Sequence, residues 1–425
     1  MTDSAEVVVV GAGLAGLATT LHLCAAGLDV RLLEAGAGAG GRVGTDLVDG
    51  FLLDHGFQVH DTAYPEPARV LDVGALDLRP FLPGALVYQD GRLHRVMDPR
   101  RRPRDLVATL RAPVGPLTDK LRVARLAARV TLTPPRRLLG RPESTTEEAL
   151  RSEGLSETIV ERFFRPFLSG VFLESRLTTS SRMFEVLLRC FARGAQCVPG
   201  GGMAEIPRQL AARLPSGVLS VGAPVALLDT RGVVVDDGAR VRADEAVVVA
   251  TDPATAVRLL PELGPAPAMH PSTTLYHAAP RSPLDEPVLV LDGESRGPLS
   301  SSAVLTDAAP TYSRHGRALV SSSVAGPEAD ERAVRAQLRR WYGPQVNEWE
   351  HVATYRIPAS LPDQSPPMGR LRKPVGVGGG RYVAGDWRAS GSTQGAMVSG
   401  RRAAHAVLAD LGIRPTARDR AVAAP

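Results

Sequence analysis

Lysine is nearly missing from this chain: Lys120 and Lys373 are the only two, although Lys and Arg together number 50. The basic charge is therefore arginine, and its excess over the acids is only +5. Aromatic residues are also sparse, at 4%. A nucleic-acid surface needs basic side chains interleaved with aromatic ones on one face, and no such stretch occurs. The three cysteines, Cys24, Cys190 and Cys197, form no CxxC pair, which offers no disulfide framework and points to a reduced, cytoplasmic setting. No HExxH sequence or metal-ligating cluster is present, so no metal is expected. No apolar run reaches the ~18 residues that span a bilayer, and the chain enters its first strand too early for a secretory signal. A soluble protein, at most peripherally membrane-associated, is expected. With 44% hydrophobic and 22% charged residues the composition is that of a globular protein. Its 425 residues exceed what one core serves, so two domains with room for a large bound molecule are expected.

The most informative stretch comes first. Val7-Val8-Val9-Val10 reads as a parallel strand buried on both faces. Gly11-Ala12-Gly13-Leu14-Ala15-Gly16 follows directly, as a strand, tight turn and helix require. Gly11 permits the turn, Gly13 lets backbone N–H groups approach a pyrophosphate, and Gly16 lets the helix pack on the strand. The helix, from Leu14 to about Ala26, offers its positive N-terminus to that pyrophosphate. Asp29 to Leu33 reads as a second strand ending at Glu34, where a ribose hydroxyl needs an acceptor. These residues define an ADP cradle and leave NAD and FAD both open. Next, Ala35 to Thr45 is a loop of small residues able to wrap phosphates, with Gly41 and Arg42 within it. Phe51 to His60 alternates apolar and polar, and Gly56 marks a close backbone approach.

A glycine fingerprint, an acid, a GGR loop and the Asp54-His55-Gly56 segment together resemble the FAD-binding half of the flavin amine oxidase and phytoene desaturase superfamily. The far end of the chain agrees with that choice. Arg381 to Asp386 is a strand ending in an acid, and Gly391-Ser392-Thr393-Gln394-Gly395-Ala396-Met397 opens a helix with free N–H groups. An NAD dehydrogenase has no use for that second unit, whereas FAD needs polar partners along its ribityl chain. The resemblance implies that Asp386 holds this chain, that the backbone of Gly395, Ala396 and Met397 faces the isoalloxazine, that Gly56, Phe57 and Gln58 lie near the flavin, and that Val225 meets the adenine. It further implies an α/β fold: a Rossmann-like FAD-binding domain of the glutathione-reductase and amine oxidase type, with an interleaved mixed α+β substrate domain. Residues 1–77, 197–252 and 350–425 are assigned to the former, 78–196 and 253–349 to the latter.

The middle of the chain is less explicit. Helical patterns run over Lys120 to Leu132, Thr146 to Glu153 and Ser156 to Phe164. Arg122, Arg125 and Arg129 share one helical face, a stripe suited either to a solvated edge or to anionic lipid. Residues 163–173 hold four of the nine phenylalanines, as a substrate wall or a packed core would. Gly293-Glu294-Ser295-Arg296-Gly297 matches a hydrolase nucleophile elbow in letters, but Pro298 and a serine run follow where the elbow needs a helix. A hairpin loop is the reading.

Two departures bear on the chemistry. The superfamily often carries an arginine where Gly38 stands, which leaves Arg42 alone for the phosphates, and amine oxidases usually place a lysine beside flavin N5. Neither Lys120 nor Lys373 suits that place. Trp341, Tyr342, Trp349, Tyr355 and Trp387 are the aromatics from which an amine cage would be built. The balance favours an FAD-dependent oxidoreductase that desaturates or isomerises a hydrophobic substrate such as a polyene by hydride transfer to flavin N5. A flavin amine oxidase, a protoporphyrinogen oxidase-like enzyme and a flavin-binding partner protein without turnover are the alternatives. No catalytic residue is named; the electron acceptor and oligomeric state stay open. The purified protein is expected to be yellow and to bleach with reductant, and an absorption spectrum without flavin bands would refute the reading.

Overall fold

The computed structural model describes residues 3–413. The chain starts with strand β1 (Asp3–Val10), helix α1 (Leu14–Ala25) and strand β2 (Val30–Leu33). It then passes through strands β3 (Gly84–Gln89) and β4 (Arg92–Met97) into helices α2 (Leu106–Arg111), α3 (Leu117–Leu132), α4 (Arg165–Phe172) and α5 (Ser181–Arg193). Strands β5 (Leu219–Ser220), β6 (Val225–Asp229), β7 (Gly232–Val235) and β8 (Arg240–Val249) follow, then β9 (Met269–Ala279), β10 (Leu289–Asp292), β11 (Ser301–Val304) and β12 (Ala318–Val324). Helix α6 (Glu331–Tyr342), strands β13 (Glu350–Pro362), β14 (Gly376–Gly378) and β15 (Arg381–Val383), and helix α7 (Thr393–Asp410) complete it.

The first sheet runs β5-β2-β1-β8-β7-β6, with β15 joined to β8 and β14 to β15. Its centre is the parallel pairing of Val7–Val10 with Ala246–Val249. Side chains alternate across a strand, and β1 uses both faces. Val7 and Val9 join the core built with α1 and α7, while Val8 and Val10 join the opposite core with Val233, Val249 and Trp387. β8 is long enough to take two partners on one edge. Its first half pairs antiparallel with β7, and Val247–Val249 pair in parallel with β15. That branch lays the last strand and α7 beside the first strand and α1. The two helices touch through small residues: a Cβ on Gly400 would lie 2.2 Å from the Ala15 carbonyl oxygen, and Thr19 Oγ1 donates to the carbonyls of Ala15 and Gly400.

The second sheet runs β13-β9-β12-β11-β10-β3-β4. β13 hydrogen-bonds along β9, so residues 350–362 belong to this sheet; assigning them to the FAD-binding part, as the sequence reading does, is corrected. That reading also passes over helix Pro253–Leu259, capped by the Asp252 carboxylate accepting from Thr255 N, and over α6. The Gly293–Gly297 segment is the turn between β10 and β11. Asp292 accepts there from the N–H groups of Glu294 and Arg296, and no helix follows the serine.

Between the sheets and solvent, α3, α4 and α5 share a core of Leu126, Val130, Phe164, Leu168 and Phe184. The arginine stripe of α3 faces protein carboxylates: Arg129 bridges Glu153 and Glu185, Arg122 bridges Asp119, and Arg125 bridges Glu153. Among the described residues no helix is long and apolar enough to cross a membrane.

His277 on β9 is fully buried, with Nε2 3.3 Å from Glu331 at the start of α6. Burial pushes its pKa down to about 4, against the raising influence of Glu331. The folded state thus favours neutral imidazole. Its stabilisation is complete above the unfolded value near ~6.5 and is lost as pH falls through about 4, a swing of roughly 3 kcal/mol. Urea unfolding across that window is expected to show this acid limb, and His277→Gln to flatten it.

Candidate functional site

The site is built where the ends of β1, β8 and β15 lie side by side. Gly11 adopts φ +98°, and its N–H donates to the Leu33 carbonyl at 2.7 Å. A Cβ on Gly16 would stand 1.8 Å from the Gly11 carbonyl oxygen, so this helix can sit so close to the turn only with glycine there. The second glycine loop is stitched to the first: Gly40 N donates to Ala12 O at 2.9 Å, and a Cβ on Gly41 would be 3.4 Å from Gly13 Cα. Glu34 Oε2 accepts from Ala12 N at 2.6 Å and Oε1 from Gly36 N at 2.7 Å, which aims the carboxylate at the cradle.

One continuous cavity of about 1760 Å³ begins here. Gly11, Gly13, Leu14, Ala15, Glu34, Ala35, Gly41, Arg42, Gly56, Phe57, Gln58, Val225, Asp386, Gly395 and Ala396 all line it. Three residues of the sequence reading do not. Ala12 is buried with its N–H spent on Glu34, Gly16 lies beneath the turn, and the Met397 side chain points into the core between α1 and α7. Consecutive residues on α7 turn by ~100° and only one face meets the cavity, so the Met397 side chain is turned inward, while its backbone, the part assigned to the flavin, continues the turn that Gly395 and Ala396 open on the cavity.

Arg42 and Asp386, which the sequence reading assigns separately to phosphate and ribityl chain, form an ion pair at 2.6 Å. Arg42 Nη1 also donates to the Ser360 carbonyl at 2.7 Å. Burial works against the guanidinium charge, but Asp386 outweighs it and leaves the Arg42 pKa above its ordinary value. At the start of α7 the Ser392 hydroxyl caps Gly395 N at 3.0 Å. Beside it Thr393 Oγ1 is buried and has no hydrogen-bond partner.

Asp54 is a residue that motif reading undervalues. It is buried and accepts from Thr45 Oγ1 at 2.6 Å, Met203 N at 2.8 Å and Tyr312 OH at 2.8 Å, while its carbonyl accepts from Tyr276 OH at 2.8 Å. Burial raises its pKa, opposed by these donors. The knot fixes the segment that follows, in which Gln58 Nε2 donates to the carbonyls of Arg42 and His55. His55 lines the cavity, sits 3.1 Å from Asp46 and stacks on Tyr355. Arg258, also on the wall, donates to the Val225 carbonyl at 3.0 Å. The Asp252-Pro253 pair, with Thr255 at the third helical position, is the sequence signal that could have found its helix.

Beyond the cradle the cavity runs between α3, α4 and α5. Val160–Phe164 forms one wide π turn, a device that redirects side chains inside a helix, and Phe163, Phe164, Phe167 and Phe172 all reach the wall. None of the five aromatics proposed for an amine cage lines the cavity. Trp341, Tyr342 and Trp349 are packed in the second sheet's core, Trp387 in the first sheet's, and Tyr355 behind His55. Lys120 reaches the wall, but its ammonium donates to the carbonyls of Leu110 at 2.6 Å and Ala112 at 2.8 Å. Lys373 lies elsewhere. Among the described residues no cluster of His, Cys, Asp and Glu could hold a metal.

A parallel sheet with a glycine turn under a helix N-terminus, an acid at the second strand and a second helix start opposite defines a dinucleotide-binding flavoprotein. Residues 14–408 match the flavin containing amine oxidoreductase family, and the chain belongs to it. Its fold agrees. Putrescine oxidase bound to putrescine, 20% identical, aligns over 96% of this chain and 100% of that one with TM-score 0.70. A protein of Exiguobacterium sp. 255-15 provisionally assigned as a protoporphyrinogen oxidase, 20% identical, aligns over 96% and 99% with TM-score 0.71. Reduced UDP-galactopyranose mutase, 18% identical, aligns over 99% and 98% with TM-score 0.70. Hydroxyneurosporene desaturase of Rubrivivax gelatinosus is 52% identical over 51 residues, which are 12% of this chain and 10% of that protein.

The protein is an FAD-dependent oxidoreductase. The residues present fit the cofactor: the glycine cradle has no room for a Cβ at Gly16, Glu34 offers an acceptor, Arg42 offers a cation, and the unpartnered Thr393 hydroxyl awaits a polar group. Glu34→Gln replaces an ionised acceptor with a neutral one, a loss of about 1.5 kcal/mol. FAD affinity of the apoprotein, titrated by flavin fluorescence, is expected to fall roughly tenfold.

Proposed function

We propose that this enzyme desaturates or isomerises an extended apolar molecule, such as a polyene. The observation that carries the reading is the wall of the cavity beyond the cradle, where the π turn, α4 and α5 present Phe163, Phe167, Val171, Met183, Leu187 and Phe191. Such a surface holds a substrate by apolar burial, at roughly 25 cal/mol per Å², and orients it without ion pairs. The short identity with a hydroxyneurosporene desaturase supports the same class.

FAD, when bound, supplies a hydride acceptor at N5. That chemistry would let a substrate C–H bond be oxidised, with a proton lost from the adjacent carbon as the double bond forms. The residues of this chain position the substrate and exclude water, which is where most of the rate enhancement lies in such a site. Among the titratable groups that line the cavity are His55 and Asp61. Asp61 is buried and its pKa is raised by that burial, against the N–H of Ala63 and the Gln196 amide that donate to it.

Family membership supports a second reading, oxidation of an amine or of a protoporphyrinogen-like substrate. Amine recognition would have to manage without the aromatic cage. Under anaerobic conditions a long-chain polyene is expected to bleach the flavin of the purified enzyme and putrescine-like amines to leave it oxidised. Bleaching by amines alone, with hydrogen peroxide formed when air is admitted, would transfer the assignment to the second reading.

A further inference from the structure

Ten large hydrophobic residues are exposed in the described chain, and six of them fall on α2, α3 and their link: Leu106, Val107, Leu110, Leu117, Leu121 and Leu132. Their exposure is not marginal, reaching 70% at Leu121 and 83% at Leu132. On α3 the spacing of Leu117, Leu121 and Leu132 places them on one stripe, continued by exposed Ala124 and Ala128. The opposite face, with Leu126 and Val130, is buried against α5. This helix is thus apolar on both sides, and one of them has no protein to cover it.

The exposed ridge is also where the cavity meets the surface, since Leu106, Leu110 and Leu121 line the cavity while remaining exposed. Lys120 fastens the ridge by donating from α3 to the carbonyls of Leu110 and Ala112. Charge around the ridge is of one sign. Residues 101–140 contain ten basic side chains and two acidic ones, Asp105 and Asp119. Both acids are already engaged by Arg102 and Arg122. Arg111, Arg136 and Arg137 are exposed and make no ion pair among the described residues.

We infer that the α2–α3 face docks peripherally on an anionic lipid bilayer, with its leucines in the acyl boundary and these arginines at the headgroups, so that the cavity opens onto the membrane. An apolar ridge flanked by free arginines is the pattern of an interfacial helix. A second copy of the chain fits less well, because self-pairing through this face sets arginine against arginine. The arginine stripe, for which the sequence leaves a solvated edge and anionic lipid both open, pairs with Asp119, Glu153 and Glu185, and the lipid-facing residues are its hydrophobic neighbours. The inference does not depend on which substrate the enzyme oxidises.

The test is co-sedimentation of the full-length, FAD-loaded protein with vesicles of phosphatidylcholine alone or mixed with phosphatidylglycerol. Binding is expected to favour the anionic vesicles about tenfold and to weaken with salt. Val107→Ser combined with Leu117→Ser, at two exposed positions outside the cavity, is expected to lower partitioning about tenfold with an unchanged flavin spectrum. Arg111→Gln with Arg137→Gln is expected to remove the preference for anionic lipid. Hydrogen exchange on the unmutated protein gives a second readout, in which vesicles protect amides of residues 106–121. Absence of binding to either vesicle, unchanged partitioning of the serine variant, or protection only elsewhere would overturn the inference. So would a dimer in light scattering that the serine variant dissolves.

Discussion

Val7–Val10 and Ala246–Val249 lie side by side in parallel register, and nearly every later feature depends on that pairing. Parallel strands cannot be joined by a tight turn, so the contact is made only after the chain has travelled through the helices and half of the first sheet. Closing so long a loop is entropically unfavourable, and what offsets it is burial of both faces of β1. Once β8 is in place, its outer edge is divided between β7 and β15. The end of the chain is thereby delivered to its beginning, and two glycine-rich helix starts face one cavity.

Parts of this were legible from residues alone, for identifiable reasons. The valine run, the turn at Gly11 and the close packing at Gly16 were legible because each answers a local steric demand. The elbow-like serine is disqualified by the proline that follows. What could not be read are pairings set by tertiary context. β13 continues the second sheet only because β9 lies alongside it, and no feature within Glu350–Pro362 announces that partner. Likewise no local signal announces that Arg129 on α3 meets Glu153 and Glu185, distant in sequence.

The wall opposite the cradle has a different physical character. Glycine loops, Glu34, Arg42 and Asp386 are specified atom by atom, whereas the surface from α3 to α5 is specified only as apolar and of a certain size. Fixed polar geometry suits one invariant cofactor. A greasy wall discriminates weakly among molecules of similar shape, since each extra methylene changes binding by only about 1 kcal/mol. The π turn at Val160–Phe164 brings Phe163 and Phe164 to that wall.

Arg42 ties the two sheets together: one nitrogen is held by Asp386 next to the first sheet, another by the carbonyl of Ser360 on β13 in the second. Asp54, on the other side, gathers Met203, Tyr312 and Tyr276 of β9. Sliding one sheet over the other would break the Arg42–Asp386 ion pair, so the cofactor end of the cavity is a stiff base fastened to both sheets through one guanidinium.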